Sequence, residues 1–528
     1  MGIHCSGQDL VLNFAQLELE KYLKLLQESL KDSSQIALIN SLDLYLGHNP
    51  PKNSAELTKK WDLYQKSTQL DAYFIDSNQS QIYLNGKSSR GILFAVYHFL
   101  QYLGIRWFFP GQRYEEIPAH LKIKTMAIHC VEIPQFTRRG ILLSGKPKNL
   151  LNWIDYATKH RLNWVALDSI QWYDRLQIEA SRRGLDYDAM LPTLGDKFCT
   201  QSSSGFEASQ SQMLELCGKM PISNKKLYCL QSEKYIARCR CRRDQISRVS
   251  GTILHRLNLL INNPKLYHQK RLAFRAQLST WNYPPNTLPH PDVFLQLAPI
   301  HRCYAHSFND SFCQVNRKYV APTIAQYLQI FKAQETEVLE YWLDATLFGN
   351  REFEIFGWAF RPGVGRIPHI PRLIKKDLDG YSALGISQII VSARGLDEDY
   401  FKKFTSPTVA FYPELIWDPT IDLKLLLQKF CLDYFESDQA GKFFDENELI
   451  DPKDISNTQF QGIMDLTSKR IKLLQHELNR VKTIRIKNRI RLLIEEQQSK
   501  LIWNGNFFAA RLKAIFNIWW FKLQLWRS

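Results

Sequence analysis

The sequence has no run of about 18 apolar residues free of polar interruption. The nearest stretch, 91–109, holds His98, Gln101 and Arg106, so no membrane-spanning helix is expected. Its opening, MGIHCSGQDLVLNF, lacks the basic and apolar blocks of a secretion signal. These two absences predict a cytoplasmic protein. The common phosphate-binding and nucleophile motifs are missing as well. There is no P-loop, no G-x-S-x-G elbow and no H-E-x-x-H, and Gly363-Val364-Gly365 is not continued as a dinucleotide fingerprint. No cofactor is expected on that account. Ten cysteines are scattered, most inside apolar segments, and Cys239-Arg240-Cys241 has no matching C-x-x-C. Such a pattern reads as reduced, buried thiols rather than a disulfide framework or a zinc ribbon. His301 and His306 have no carboxylate spaced to complete a metal triad, so no metal is expected either. Internal repeats are also absent.

Net charge is small over most of the chain and concentrated at its end. Of a net +16 over 528 residues, residues 469–528 supply +11, from 14 lysines and arginines against three acids. A nearly balanced body excludes the broad basic face of a specific nucleic-acid binder. The length leaves room for two or three domains.

What is present centres on 293–316, VFLQLAPIHRCYAHSFNDSFCQVN. A short apolar run fits a buried strand. It feeds at once into a polar cluster containing His301, Arg302, Cys303, Tyr304, His306, Asn309, Asp310 and Cys313. A (β/α)8 barrel delivers chemistry in this way, with core in the strand and site in the loop after its C-terminal end. The alternative is a polar surface loop. Strand patterns recur at 139–144, 163–168, 226–231, 273–279, 293–298, 337–344 and 388–393, with helical patterns such as 150–160 and 373–385 between them. Alternation of this kind predicts a parallel sheet. A weak eighth strand is expected third in order, within 183–194.

Ahead of these lies an expected α/β unit. Its elements are a helix over 10–30, short strands or their flanks at 36–39 and 42–46, a strand pair at 71–75 and 81–86, and a helix over 89–103 ended by Gly104. After Pro419 the pattern becomes helical, over 421–434 and 460–503. Residues 509–526 form an amphipathic segment with two readings: a helix docked on the barrel, or a membrane-surface helix whose Arg511, Lys513, Lys522 and Arg527 meet anionic lipid.

The stretch from Ser88 to Pro118, SSRGILFAVYHFLQYLGIRWFFPGQRYEEIP, resembles the N-terminal domain of a bacterial glycosidase-related barrel family of unassigned activity. That domain is similar to those preceding the barrels of α-glucuronidases and β-hexosaminidases. Phe136-Thr-Arg-Arg-Gly, LAPIHRCYAH and Leu415-Ile-Trp-Asp-Pro continue the resemblance, which covers roughly residues 10–440. It implies an N-terminal α/β domain (1–132), a central (β/α)8 TIM-like barrel (133–440) and a basic helical extension (441–528). It also implies that Arg139 sets a guanidinium against sugar hydroxyls, with Arg138 as the competing choice. The adjacent Asp-Glu pair of β-hexosaminidases is absent, and Gln231-Ser232-Glu233 stands in its place.

Glycoside hydrolysis requires two carboxyl groups flanking one bond. Asp168, Glu233, Asp310 and the run Asp397-Glu398-Asp399 follow strand candidates. Glu340 and Asp344 are four apart on one strand and are expected to share a face. Each has a plain alternative as a cap or loop hydrogen-bonder. Asp344, Glu233 and Asp310 are the leading catalytic candidates. Arg139, Arg302, Tyr304, His306, Tyr341 and Trp342 are the leading substrate-binding ones, and Trp172 offers a further stacking face equally suited to core. The function expected is a glycoside-hydrolase-like protein acting on or binding a carbohydrate, an acidic sugar being one option. The alternatives are a catalytically inactive carbohydrate-binding barrel and a membrane- or polyanion-associated scaffold using the basic tail.

Overall fold

The computed structural model describes residues 1–48, 58–78, 80–123, 126–169, 173–191, 226–229, 246–262, 271–277, 280–284, 286–348, 366–437, 444 and 457–498. It is a mixed α/β protein. The first strands are β1 (Gly2–Cys5), β2 (Asp43–Leu46), β3 (Tyr73–Asn78), β4 (Gln81–Gly86), β5 (Arg106–Trp107), β6 (Glu115–Glu116) and β7 (Cys130–Glu132). Five of them form a sheet in the order β1-β2-β4-β3-β7, parallel from β1 to β4 and antiparallel around β3. The helices Leu10–Ser29 and Ser89–Tyr102 bury their apolar stripes in the core of this sheet. Their N-termini are fixed by Asp9, which accepts from the amides of Val11 and Leu12, and by Ser88, which accepts from Gly91. Gly104, at φ 100°, ends the second helix. Residues 36–39, expected as a strand, instead lie in the helix Ser33–Asn40. Asp32 caps it through the amide of Ser34, a local bond that outweighs the β-branched residues inside.

Eight parallel strands then close into a barrel: β8 (Arg138–Leu143), β9 (Trp164–Leu167), β10 (Asp186–Leu191), β11 (Lys226–Cys229), β12 (Arg271–Ala276), β13 (Val293–Leu297), β14 (Glu337–Glu340) and β15 (Gln388–Ser392). Each pairs with its sequence neighbour, and β15 pairs with β8. Between strands run helices such as Pro147–Lys159, Tyr173–Ser181, Ile246–Ile261 and Pro371–Ala383. β14 stops at Glu340, four residues short of the expected strand, because Asp344 turns the chain: its amide bonds the Tyr341 carbonyl at 3.1 Å.

The chain divides into two compact units. One comprises 1–367, 371–398 and 409–421 and holds both the five-stranded sheet and the barrel; the other comprises 368–370, 399–408 and 422–528. In the second unit, the helices Leu423–Phe435, Asn457–Arg480 and 484–498 bury Phe435, Leu474, Ile490 and Leu493. The expected continuous helix over 460–503 is interrupted at 481–483. Residues 509–526 lie outside the described residues. Among the described residues no helix is long and apolar enough to cross a membrane.

Candidate functional site

Side chains alternate across a strand, so the barrel interior can be followed upward from its floor. Arg138, first on β8, points inward. It donates to Asp188 at 2.5 Å, to Glu337 at 2.6 Å and to the Tyr228 hydroxyl at 3.0 Å, and its guanidinium stacks 3.6 Å from the Trp164 ring centroid. Lys226 donates to Glu337 at 2.7 Å, and Gln296 does so at 3.2 Å. Burial works against the Glu337 charge, but Lys226 and Arg138 outweigh it and hold the carboxyl below its usual range. These groups come from six strands, Gln296 reaching in from the C-terminal half of β13, and satisfy one another. They form a buried ionic floor rather than a site.

At the opposite end the inward positions carry different chemistry. Asp168 follows β9 with the same parity as Trp164 and Ala166, and its amide bonds the Leu143 carbonyl at 3.0 Å. Burial pushes its carboxyl above the ordinary range, opposed by Arg394, whose guanidinium stands 4.0 Å away. Asp344 is nearly buried. Its Oδ1 accepts from the amides of Thr346 (3.0 Å) and Leu347 (3.1 Å) and from the Thr346 hydroxyl (2.6 Å), and its Oδ2 accepts from Ser392 at 2.8 Å. Tyr341 is buried within the electrostatic reach of Arg275, Asp344 and Arg394, and burial raises its hydroxyl. Arg275 donates to Gln296 at 2.7 Å. Asp168, Arg275, Gln296, Tyr341, Asp344, Ser392 and Arg394 thus gather at the C-terminal ends of β9, β12, β13, β14 and β15. Arg275, Gln296, Ser392 and Arg394 were not singled out from the sequence. The available signal was parity: Arg275 and Gln296 are polar residues at inward positions of apolar strands.

The other expected site residues lie elsewhere. Arg139 faces outward from β8, fully buried, and donates to Asp71 at 2.6 Å and to the carbonyls of Phe136 and Arg161. It therefore joins the barrel wall to the N-terminal sheet and does not line the mouth. Arg302 is also buried, between Glu340 at 2.7 Å and Asp377 at 2.6 Å. Glu340 points outward to that pair while Asp344 bonds Ser392, so the two acids do not share a face; the strand ends between them. Trp342 donates to Asp377 at 3.1 Å and packs on Tyr412. Tyr304 is buried against the Pro299 carbonyl. Asp310 accepts from the Phe312 amide at 2.8 Å in a loop turn. Half-buried His306 sits 3.4 Å from the Cys303 sulfur. Glu398 pairs with Lys148 at 3.4 Å. Glu233 and Trp172 lie outside the described residues.

No family model matches the sequence, and no curated relative matches it. Solved structures do. A family GH115 4-O-methyl-α-glucuronidase, BtGH115A, with specificity for decorated arabinogalactans, superposes with a TM-score of 0.55 at 11% identity, covering 95% of this chain and 71% of that one. A GH138 enzyme targeting pectin rhamnogalacturonan II gives 0.47 at 9% identity over 95% of this chain and 68% of its own. CpGH84D gives 0.46 at 8% identity over 96% and 89%. What the first of these likenesses carries is the fold alone.

Proposed function

We propose that this chain is a glycoside-hydrolase-like (β/α)8 barrel that binds and acts on an acidic carbohydrate at the C-terminal ends of its strands. The observation that carries the reading is the gathering there of two carboxylates, Asp168 and Asp344, with two guanidinium groups, Arg275 and Arg394, around Tyr341. A barrel presents reacting groups at this end. Asp168, whose carboxyl burial shifts upward, suits the general acid that protonates a leaving oxygen. Asp344, held by Ser392 and the turn amides, suits the fixed carboxylate, and Oδ2 keeps capacity for a further donor. Planar guanidinium forks suit a uronate. Likeness of fold to a 4-O-methyl-α-glucuronidase fits the same substrate class. Glu233 remains a third carboxylate for this site, and Asp310 remains a rim group for sugar hydroxyls.

A second reading rests on Asp344 itself. With three donors on Oδ1 it is committed to shaping the turn, which favours a barrel that binds sugar without cleaving it. The test is hydrolysis of a panel of aryl uronides and neutral aryl glycosides, run beside calorimetric binding of uronic-acid oligosaccharides. The catalytic reading expects turnover that Asp168→Asn lowers by about 100-fold or more while binding persists. Saturable binding without turnover supports the second reading. Neither binding nor turnover with any of them overturns both.

A further inference from the structure

The loop after β13 holds a second cluster that the carbohydrate reading does not use. Cys303, His306 and Cys313 each bring one ligand atom to within 4.8 Å of the others. The Cys303 sulfur and His306 Nδ1 are 3.4 Å apart. In a tetrahedral zinc site, bonds of about 2.3 Å to sulfur and about 2.0–2.1 Å to nitrogen set neighbouring donors about 3.5–3.8 Å apart. The three atoms therefore need to close by only about 1 Å to share one ion.

The loop is built to hold them without help from a metal. Asn316 is fully buried and accepts from the Cys303 amide at 2.8 Å. Its own amide nitrogen donates to the carbonyls of Cys303 (2.9 Å), His306 (3.1 Å) and Ser307 (2.9 Å). One side chain thus ties both ends of the Cys303–His306 turn. The Asn316 backbone amide also donates to the Cys313 sulfur at 3.5 Å, which fixes where that sulfur sits. Arg302, beside Cys303, is anchored by Glu340 and Asp377. Little ordering is left to be done on binding. Cys313 is buried while Cys303 and His306 are half-buried, so the cluster closes on one side and opens on the other.

We propose that Cys303, His306 and Cys313 form a binding site for a borderline-soft divalent cation, zinc first, that clamps the loop following β13. Two thiolates and an imidazole select against magnesium and calcium. Binding releases the two thiol protons. Three protein donors leave the fourth tetrahedral position to water or to an added donor.

The experiment is titration of the full chain with cobalt(II) under reducing conditions after metal removal by a chelator. Expected is a thiolate-to-cobalt charge-transfer band with tetrahedral d–d absorption, displaced by zinc. The signal survives in a Cys239→Ser, Cys241→Ser double variant and is abolished in Cys303→Ser and in Cys313→Ser. A wild-type measurement that requires no variant to fold is alkylation mapped by mass: zinc protects Cys303 and Cys313, and chelation exposes both. Cobalt bands that persist in both single-serine variants, wild-type protein without such bands, or a Cys303–Cys313 disulfide in protein prepared without reductant would each overturn the proposal.

Discussion

Outside the barrel wall two carboxylates share one guanidinium. Arg302 stands between Glu340 and Asp377, and all three side chains are buried. One positive charge cannot satisfy two negative ones in a low dielectric, so a proton is retained there. Burial, and then the Asp377 charge, push Glu340 up to about 7 against the pull of Arg302, and the Tyr381 hydroxyl donates to it at 2.6 Å. The folded state therefore binds this proton more tightly than the unfolded chain, whose carboxyl titrates near 4.5. The contribution to stability is complete below that value and is lost as pH rises to about 7. His160 acts in the opposite sense. Buried with Nε2 2.6 Å from the Trp107 carbonyl, it is pushed by burial from 6.5 down to about 4, so its contribution is lost as pH falls through that window. The two slopes oppose each other in the wild type, and a single substitution separates them. Glu340→Gln mimics the protonated acid. In urea unfolding from pH 4.5 to 7, the wild type's advantage over this variant should shrink as pH rises. A difference that stays constant across the window would remove Glu340 as the titrating group.

At the scale of elements, strands were easier to read than the directions of their side chains. β13 and β15 are apolar runs bounded by turns, and the sequence places them within a residue or two. β10 was faint because its inward positions are Asp186 and Asp188, which serve the ionic floor rather than an apolar core. Arg138 and Arg139 could not be ranked by type alone. Gly140 decides between them: a Cβ there would lie 2.6 Å from the Trp164 ring, so Gly140 faces the barrel axis, as does Arg138 two residues before it, and Arg139 faces out. Likewise Asp344 looked like the end of a strand, but three hydrogen bonds from Thr346 and Leu347 turn the chain early. Local capping chemistry, and face parity decided by neighbours distant in sequence, account for most of the site that was not legible. The outward Arg139 makes a checkable claim. Asp71 accepts from Arg139, from Arg90 at 2.6 Å and from Asn163 at 2.6 Å, and Arg90 also reaches the Gly184 carbonyl. Replacing Asp71 by Asn strands a fully buried guanidinium, at a cost of about 3–5 kcal/mol. Asp71→Asn should lower stability in denaturant melts by that order. A change below about 1 kcal/mol would mean that Arg139 does not depend on this carboxylate.

For the whole molecule, the uneven charge was plain in the sequence but its structural setting was not. Residues 469–528 carry +11 of the net +16, which reads as a detachable accessory. Within the second unit, however, Glu477 accepts from Ser437 at 2.8 Å, Arg489 donates to the Tyr434 carbonyl at 2.8 Å and stacks on the Tyr434 ring, and Leu474, Ile490 and Leu493 are buried. A cut at Lys469 therefore removes core as well as charge, and it cannot report on charge alone. Surface reversal can. Lys469 and Lys472 are exposed on the helix Asn457–Arg480 and Lys482 in the break that follows it, and changing all three to Glu takes the net charge from +16 to +10. Substitutions at such positions shift stability by about 0.5 kcal/mol or less each, so the thermal midpoint should move little. Attraction to a polyanion falls with each lost cation through counterion release. The triple variant should elute from heparin at lower salt than the wild type and bind less to vesicles containing anionic lipid, with a shallower dependence of affinity on salt. Unchanged elution and vesicle binding, at an unchanged midpoint, would mean that these helices hold their charge for solubility and not for a partner.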